Sequence, residues 1–249
     1  MGQVANLPAK MDEHGEIRRR RLPHWDLPGA TYFVTSCLAG SIPAEGLLDV
    51  ERVRARRTKP PSEPGGARRE WEVERWKGTF ARCDWWLDQR PCIRHFSDPA
   101  LAKIVADACY FWAGQRYDLL AFVVMSSHVH WVFRPIGPAG SFPEGRQVGN
   151  VPHKRRRSPR ERIMHTLKLH TALECNRLLG REGTFWQDES YDHCVRDDDE
   201  LERIIHYIEQ NPVKAGLVER SELWPFSSAY DRARWGVSLG HPLVRPIGC

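Results

Sequence analysis

The stretch from Tyr117 to Arg134, "YDLLAFVVMSSHVHWVFR", constrains the fold more than any other part of the chain. It is apolar almost throughout and is interrupted at Ser126-Ser127. That pattern predicts two buried strands, Tyr117 to Met125 and His128 to Arg134, joined tightly as a hairpin. Side chains alternate across a strand, so His128, His130 and Val132 share one face while Val129, Trp131 and Phe133 share the other. Two imidazoles on one strand face can hold a cation between them, because neutral imidazole is the commonest protein ligand for a divalent metal. The bland alternative is a pair of histidines facing the surface with no ligand, and the pair alone does not decide between the two.

The elements around this hairpin predict the architecture. Thr31 to Leu38 is rich in β-branched and aromatic residues and reads as a strand. A long irregular region follows, including the Pro/Gly-rich charged segment "RRTKPPSEPGGARRE", read as a loop. Val73, Trp76, Phe80 and Cys83 then recur at helical spacing and predict an amphipathic helix packed on the main body. Asp98 as N-cap with Pro99 at the first helical position starts a helix through about Gly114. After the hairpin comes a second loop, "GPAGSFPEGRQVGNVPHKRRRSP", then a helix from Pro159 to Leu179 closed by Gly180, a strand at Thr184 to Arg196, and a last helix from about Asp198 to Gln210. The order strand, helix, strand, strand, helix, strand is that of an α+β fold, the ferredoxin-like split βαβ antiparallel sheet with helices on one face, followed by a further C-terminal helix. The expected division is a basic arm at 1–29, one domain at 30–229 with an inserted region at about 39–98, and a tail at 230–249.

Composition narrows the functional class. At 249 residues the chain can bury a sizeable core, and it carries a net charge of +5. The basic residues are clustered: Arg18, Arg19, Arg20 and Arg21 form one run, Arg52 to Lys59 contains five more, and Lys154 to Arg157 is a third cluster. Clusters of this kind suit a phosphate backbone, whereas a single one is as well explained by a solvated loop. The seven cysteines form no Cys-x-x-Cys pair, so neither a disulfide framework nor a zinc ribbon is indicated. Short apolar runs and a polar, charged start argue against a membrane span or a signal peptide, and the expected location is cytoplasmic.

The last helix supplies a second constellation. In "RDDDELERIIHYIEQNPVKAGLV", Asp197 with Glu200 three residues on resembles a capping box, Leu201, Ile204, Ile205 and Ile208 form the apolar stripe, and Pro212 is expected to stop the helix near Asn211. Tyr207 lies roughly 110° from the stripe's centre, so it is not a core filler. With Asn211 it makes an i, i+4 pair, so a phenol and an amide project side by side. An amide oxygen can be a third ligand beside two imidazoles, and a phenol beside a metal can act as a nucleophile.

These residues together resemble the single-tyrosine HUH transposases, and among them the REP-associated tyrosine transposases. His128-Val129-His130 matches the histidine-hydrophobic-histidine signature, "HYIEQNPVKAGLV" with "LWPFSSA" matches the tyrosine helix and the segment after it, and "GTFWQDESYDH" and "LPHW" also fit, so that the resemblance spans most of residues 20 to 230. One departure is visible: Ser126-Ser127 stands where the family usually has Pro-Asn, which puts the geometry of the tight turn in question.

The resemblance implies that His128, His130 and Asn211 hold Mg2+ or Mn2+, that Tyr207 attacks a DNA phosphate, and that the substrate is single-stranded DNA beside a hairpin or palindrome, cut through a 5′-phosphotyrosine intermediate. It also implies nucleic-acid contacts for the arm arginines Arg18 to Arg21 and for Lys168. It leaves open the target sequence and whether the protein acts as monomer or dimer. His170 and His193 are secondary candidates for the site, and Trp71, Trp76, Trp85 and Trp86 are read as packing of the inserted region although they offer stacking faces. Two rivals remain at this stage: a domesticated, non-cleaving binder of palindromic DNA or RNA, and a zinc metallohydrolase, which lacks the extra histidine or carboxylate motif such sites usually add.

Overall fold

The computed structural model describes residues 16–19, 23–27, 29–56, 66–137, 157–188 and 190–246. In chain order the elements are β1 (Glu16–Arg19), β2 (Pro23–Asp26), β3 (Tyr32–Cys37), α1 (Ala44–Ala55), α2 (Gly66–Gln89), α3 (Pro99–Tyr110), β4 (Tyr117–Val124), β5 (His128–Pro135), α4 (Pro159–Leu178), β6 (Tyr191–Cys194), α5 (Asp198–Lys214) and α6 (Ser228–Trp235). The main sheet is antiparallel with order β4-β5-β3-β6. Relabelled by the split βαβ core alone, that is second, third, first, fourth, the ferredoxin-like arrangement expected from the element order.

The alternation predicted for the hairpin sorts the core onto two sheet faces. Val34, Trp131, Phe133, Leu119 and Phe122 pack with residues of α3 and α4, among them Leu101, Val105, Ile163 and Leu167. Phe33, Val132, Ala121 and Val123 face the other way, where Ile205 and Ile208 of α5 and part of α2 cover them. Trp131, Phe133, Ile205 and Ile208 are fully buried. At about 1.5 to 3 kcal/mol for each fully buried large side chain, these two layers hold the histidine strand between them. The helix starts follow the capping signals: the Asp98 side chain accepts from the Ala100 amide, and Ser158 and Glu161 form a reciprocal capping box at α4.

Five local expectations are revised. The arm is not without structure, since β1 and β2 pair antiparallel with Glu16 opposite Asp26. Residues 44–55, read as irregular, form α1; its sequence holds a helix-weakening glycine, but a Cβ on Gly46 would come within 2.8 Å of the Trp86 ring, so the glycine is what lets α1 approach α2. The loop assigned as far as Glu70 ends sooner, because α2 begins at Gly66. The strand predicted from Thr184 begins only at Tyr191, for Phe185 and Trp186 are adjacent and both buried in one core, which an alternating strand does not permit. Pro212 does not end α5: the helix runs one turn further to Lys214, continued by the Ala215 amide donating to the Asn211 carbonyl. The loop expected at 137–159 lies mostly outside the described residues.

Past residue 230 the chain remains packed. Arg232 of α6 is buried against Glu209 of α5, and Leu243, fully buried, donates its amide to the Leu119 carbonyl of β4. No described helix is long and apolar enough to cross a membrane.

Candidate functional site

β3 and β5 pair so that Thr35 sits opposite His130 and Cys37 opposite His128, which puts the two imidazoles on the α5 face near the middle of the sheet. Both are essentially without exposure. Their Nε2 atoms lie 3.0 Å apart. Each ring is held from behind. His130 Nδ1 is 2.6 Å from Thr35 Oγ1, and His128 Nδ1 is 3.0 Å from Ser127 Oγ. The single Ser127 hydroxyl proton is donated to the Leu87 carbonyl of α2, so Ser127 accepts from His128 Nδ1–H and leaves the Nε2 lone pair of His128 facing its partner. The turn in question is therefore intact with serines: Ser126 and Ser127 carbonyls accept from the Phe96 and Leu38 amides, and one hydroxyl orients a histidine.

α5 brings Tyr207 to the same place. Its ring centroid is 5.6 Å from that of His130 and 6.1 Å from that of Phe33. Lys214, two turns on, lies with its ammonium 4.5 Å from the Tyr207 ring centroid, a cation–π contact. Asn211 is 1% exposed and adjoins the Tyr207 hydroxyl through its amide, whose oxygen has no hydrogen bond.

Sequence reasoning missed Asp84. It stands on α2, accepts a hydrogen bond from the Tyr207 hydroxyl, and has its other oxygen 3.2 Å from His130 Nε2 without an aligned hydrogen bond between them. Asp84, His128 and His130 can present one ligand atom each within 4.8 Å of one another. Asp88, one turn further, has an oxygen 3.8 Å from His128 Nε2. A signal for both was present in the sequence. Trp76, Phe80, Asp84 and Asp88 lie four apart on one helix ridge, so two aromatics that must face the body carry two carboxylates inward with them. Trp76 and Phe80 do face it, stacked at 5.0 Å, with Phe80 5.4 Å from Phe33.

The surroundings set the charges. Burial first, and the neighbouring His130 second, push the His128 imidazole down to about 3, partly offset by Asp84, so the ring is neutral at pH 7. Burial alone would raise the Asp84 carboxyl, but the imidazole of His130, with His128 and the Tyr207 hydroxyl, outweighs it and holds Asp84 ionised, below its ordinary range. Burial and then the Asp84 charge push Asp88 up to about 7. Burial, followed by the charge of Asp84, lifts the Tyr207 phenol above the usual tyrosine range, so it keeps its proton at neutral pH.

These donors suit a hard divalent cation. Two nitrogens 3.0 Å apart match neighbouring corners of an octahedron with bonds of about 2.1 Å. Asp84, which accepts from the Tyr207 hydroxyl, and Asn211, which adjoins it, each keep a buried oxygen without a hydrogen bond there. Leaving one such atom unsatisfied costs about 1 to 3 kcal/mol, so their concentration calls for a partner of positive charge.

The other candidates are placed as follows. Lys168 on α4 donates to the Gln187 carbonyl and lies 3.4 Å from Ser190 Oγ. Arg18 and Arg19 are on β1, whereas Arg20 and Arg21 lie outside the described residues. His193 on β6 is stacked on Trp76 at 4.7 Å and paired with Glu200, so it supports the wall of the site, and His170 is exposed on α4. Trp71 lies under Arg75, and Trp86 is buried with its indole donating to Asp49.

A ferredoxin-like sheet with His-x-His on a central strand and a tyrosine helix across the same face is the class of protein that the resemblance to single-tyrosine HUH transposases implied. No family model matches the chain. Over 53 residues, 21% of its length, the chain is 45% identical to a protein of Haemophilus influenzae named as a REP-associated tyrosine transposase, and the match spans 30% of that relative. A solved structure described as a REP-associated tyrosine transposase bound to a REP hairpin aligns over 94% of both chains with 17% identity and a TM-score of 0.41. The chain is thus similar in sequence to REP-associated tyrosine transposases, and its fold assignment stands on its own strand order.

Proposed function

We propose that the protein is a REP-associated tyrosine transposase acting as a metal-dependent endonuclease and strand transferase on single-stranded DNA next to a hairpin or palindrome. The observation that carries this reading is the convergence of Tyr207, from the last long helix, on the paired imidazoles of β5, with the Tyr207 hydroxyl already held by a carboxylate. In this reading His128, His130 and Asn211 hold Mg2+ or Mn2+, which when bound withdraws charge from the scissile phosphate. Tyr207 Oη forms a bond to phosphorus as the bond to the 3′ oxygen breaks; the phenol proton passes to the Asp84 carboxylate that already accepts its hydrogen bond, and the departing oxygen takes a proton from water to become a 3′-hydroxyl. The phosphodiester energy is kept in the 5′-phosphotyrosine, so strand joining needs no nucleotide cofactor. Lys214, over the tyrosine ring, and the arm arginines Arg18 to Arg21 with Lys168 supply positive charge for the backbone. In this reading the arm at 1–29, the domain at 30–229 with its insertion at about 39–98 and the tail at 230–249 belong to one such protein.

The test is covalent capture. Labelled single-stranded DNA carrying a hairpin from the flanks of the gene, incubated with protein and Mn2+, is expected to yield a protein–DNA adduct that survives denaturation. Chelator and Tyr207→Phe should each abolish it, with DNA binding by the variant kept within a few-fold. An adduct that persists in Tyr207→Phe overturns the assignment of the nucleophile, and wild type that binds the hairpin without ever forming an adduct marks a binding protein instead.

A further inference from the structure

The inserted helix α2 reaches the site with more than a covering surface. Asp84 uses one carboxylate oxygen to accept from the Tyr207 hydroxyl and turns the other, buried and without a hydrogen bond, to the edge of the imidazole pair. Three residues on, the Leu87 carbonyl takes the Ser127 proton and so selects which nitrogen of His128 is free. Phe80 and Trp76 anchor this ridge against Phe33, so the register of α2 over the sheet is set by packing and not by the polar contacts themselves. Asn211, 1% exposed beside the Tyr207 hydroxyl that Asp84 holds, keeps its amide oxygen buried without a hydrogen bond, a second acceptor on the same side of the site.

We infer that Asp84 is itself a ligand of the divalent cation and, through its second oxygen, the residue that positions Tyr207, so that the inserted helix is a working part of the site. This rests on the proposed metal-dependent reading. The ligand set then becomes two imidazoles, a carboxylate and the Asn211 amide, a harder and more anionic set than histidines and amide alone, which favours Mg2+ or Mn2+ over softer metals. It also ties cation occupancy to the nucleophile, because one carboxylate touches both.

Mn2+ binding by calorimetry, without DNA and without turnover, separates the possibilities. Asp84→Asn keeps the shape and an oxygen that accepts from Tyr207, so the fold should survive; its Mn2+ affinity is expected to fall about tenfold or more. Asp84→Glu, which keeps the charge, should lose less than Asp84→Asn, and this ordering holds the test open if the asparagine variant is poorly folded. Asp88→Asn is the control for a general acidic field and should stay within about threefold of wild type. Tyr207→Phe should bind Mn2+ at least as well as wild type. Equal affinity in wild type and Asp84→Asn overturns the inference while leaving the metal-dependent reading standing. Equal losses in Asp84→Asn and Asp88→Asn overturn it too, by reducing Asp84 to background charge. Wild type that binds no Mn2+ overturns the underlying reading first.

Discussion

The placement of Tyr207 depends on how firmly α5 is tied to the sheet, and besides the buried Ile205 and Ile208 one buried cation ties it from α6. Arg232 of α6 is 7% exposed and pairs through Nε with Glu209 of α5 at 3.0 Å. Its two terminal nitrogens donate to the Leu120 carbonyl of β4 and to the carbonyls of Ser238 and His241, at 2.6 and 3.2 Å for the latter two. Glu209 is 8% exposed and also accepts from the Ser228 hydroxyl. Arg232→Met keeps the apolar stem but leaves Glu209 charged, buried and without its counter-ion, which costs about 3 to 5 kcal/mol. For a chain of this size each kcal/mol lowers Tm by about 2 to 4 °C, so the expected drop is about 6 to 20 °C. Glu209→Gln keeps acceptors for Ser228 and Arg232 and should cost less, about 1.5 to 3 kcal/mol. The double variant should fall short of the summed losses by about 1 to 3 kcal/mol, because the second change removes a penalty created by the first. Urea denaturation of the four proteins, with calorimetric Tm, measures all three quantities. Strict additivity, or an Arg232→Met loss below about 1 kcal/mol, would refute the account of α5 as held by this pair.

Three further outcomes are expected. Glu200, buried at the start of α5, accepts from the Arg196 backbone and guanidinium and faces His193, which together hold its carboxyl below the usual range against the effect of burial. Because the folded value is depressed, its contribution is fully present above the unfolded value of about 4.3 and is lost as pH falls below it. Glu200→Gln should therefore cost about 1 to 3 kcal/mol at pH 7, with the gap to wild type closing below about pH 4; a gap constant from pH 7 to pH 3 would contradict this. Replacing Arg18 to Arg21 with alanine should weaken hairpin DNA binding and flatten the slope of its salt dependence by about 0.7 for each phosphate that is no longer neutralised, whereas an unchanged slope returns the run to a solvated arm. Phe33→Ala removes a 3% exposed ring that touches Trp76, Phe80, His130 and Tyr207, and should cost about 3 to 5 kcal/mol while weakening Mn2+ binding by loosening the α2 register; full stability would show that α2 is held elsewhere.

Period-two alternation in "HVHWVF" was enough to pair His128 with His130 on one sheet face, and i, i+4 spacing was enough to set Tyr207 beside Asn211 off the apolar stripe of α5. The hairpin and the N-caps at Asp98 and Asp197 followed from equally local patterns, because backbone geometry repeats over two to four residues whatever the rest of the chain does. The same locality is why α1 and the shortened β6 were not legible: each is an outcome of packing against residues distant in sequence. Asp84 is the clearest instance. Its ridge with Trp76, Phe80 and Asp88 could be drawn from the sequence, but nothing local says which strand that ridge will meet. Asp84 and Tyr207 are 123 residues apart, and their contact exists because Phe33, Trp76 and Phe80 pack the inserted helix against the one sheet face that also carries the histidines.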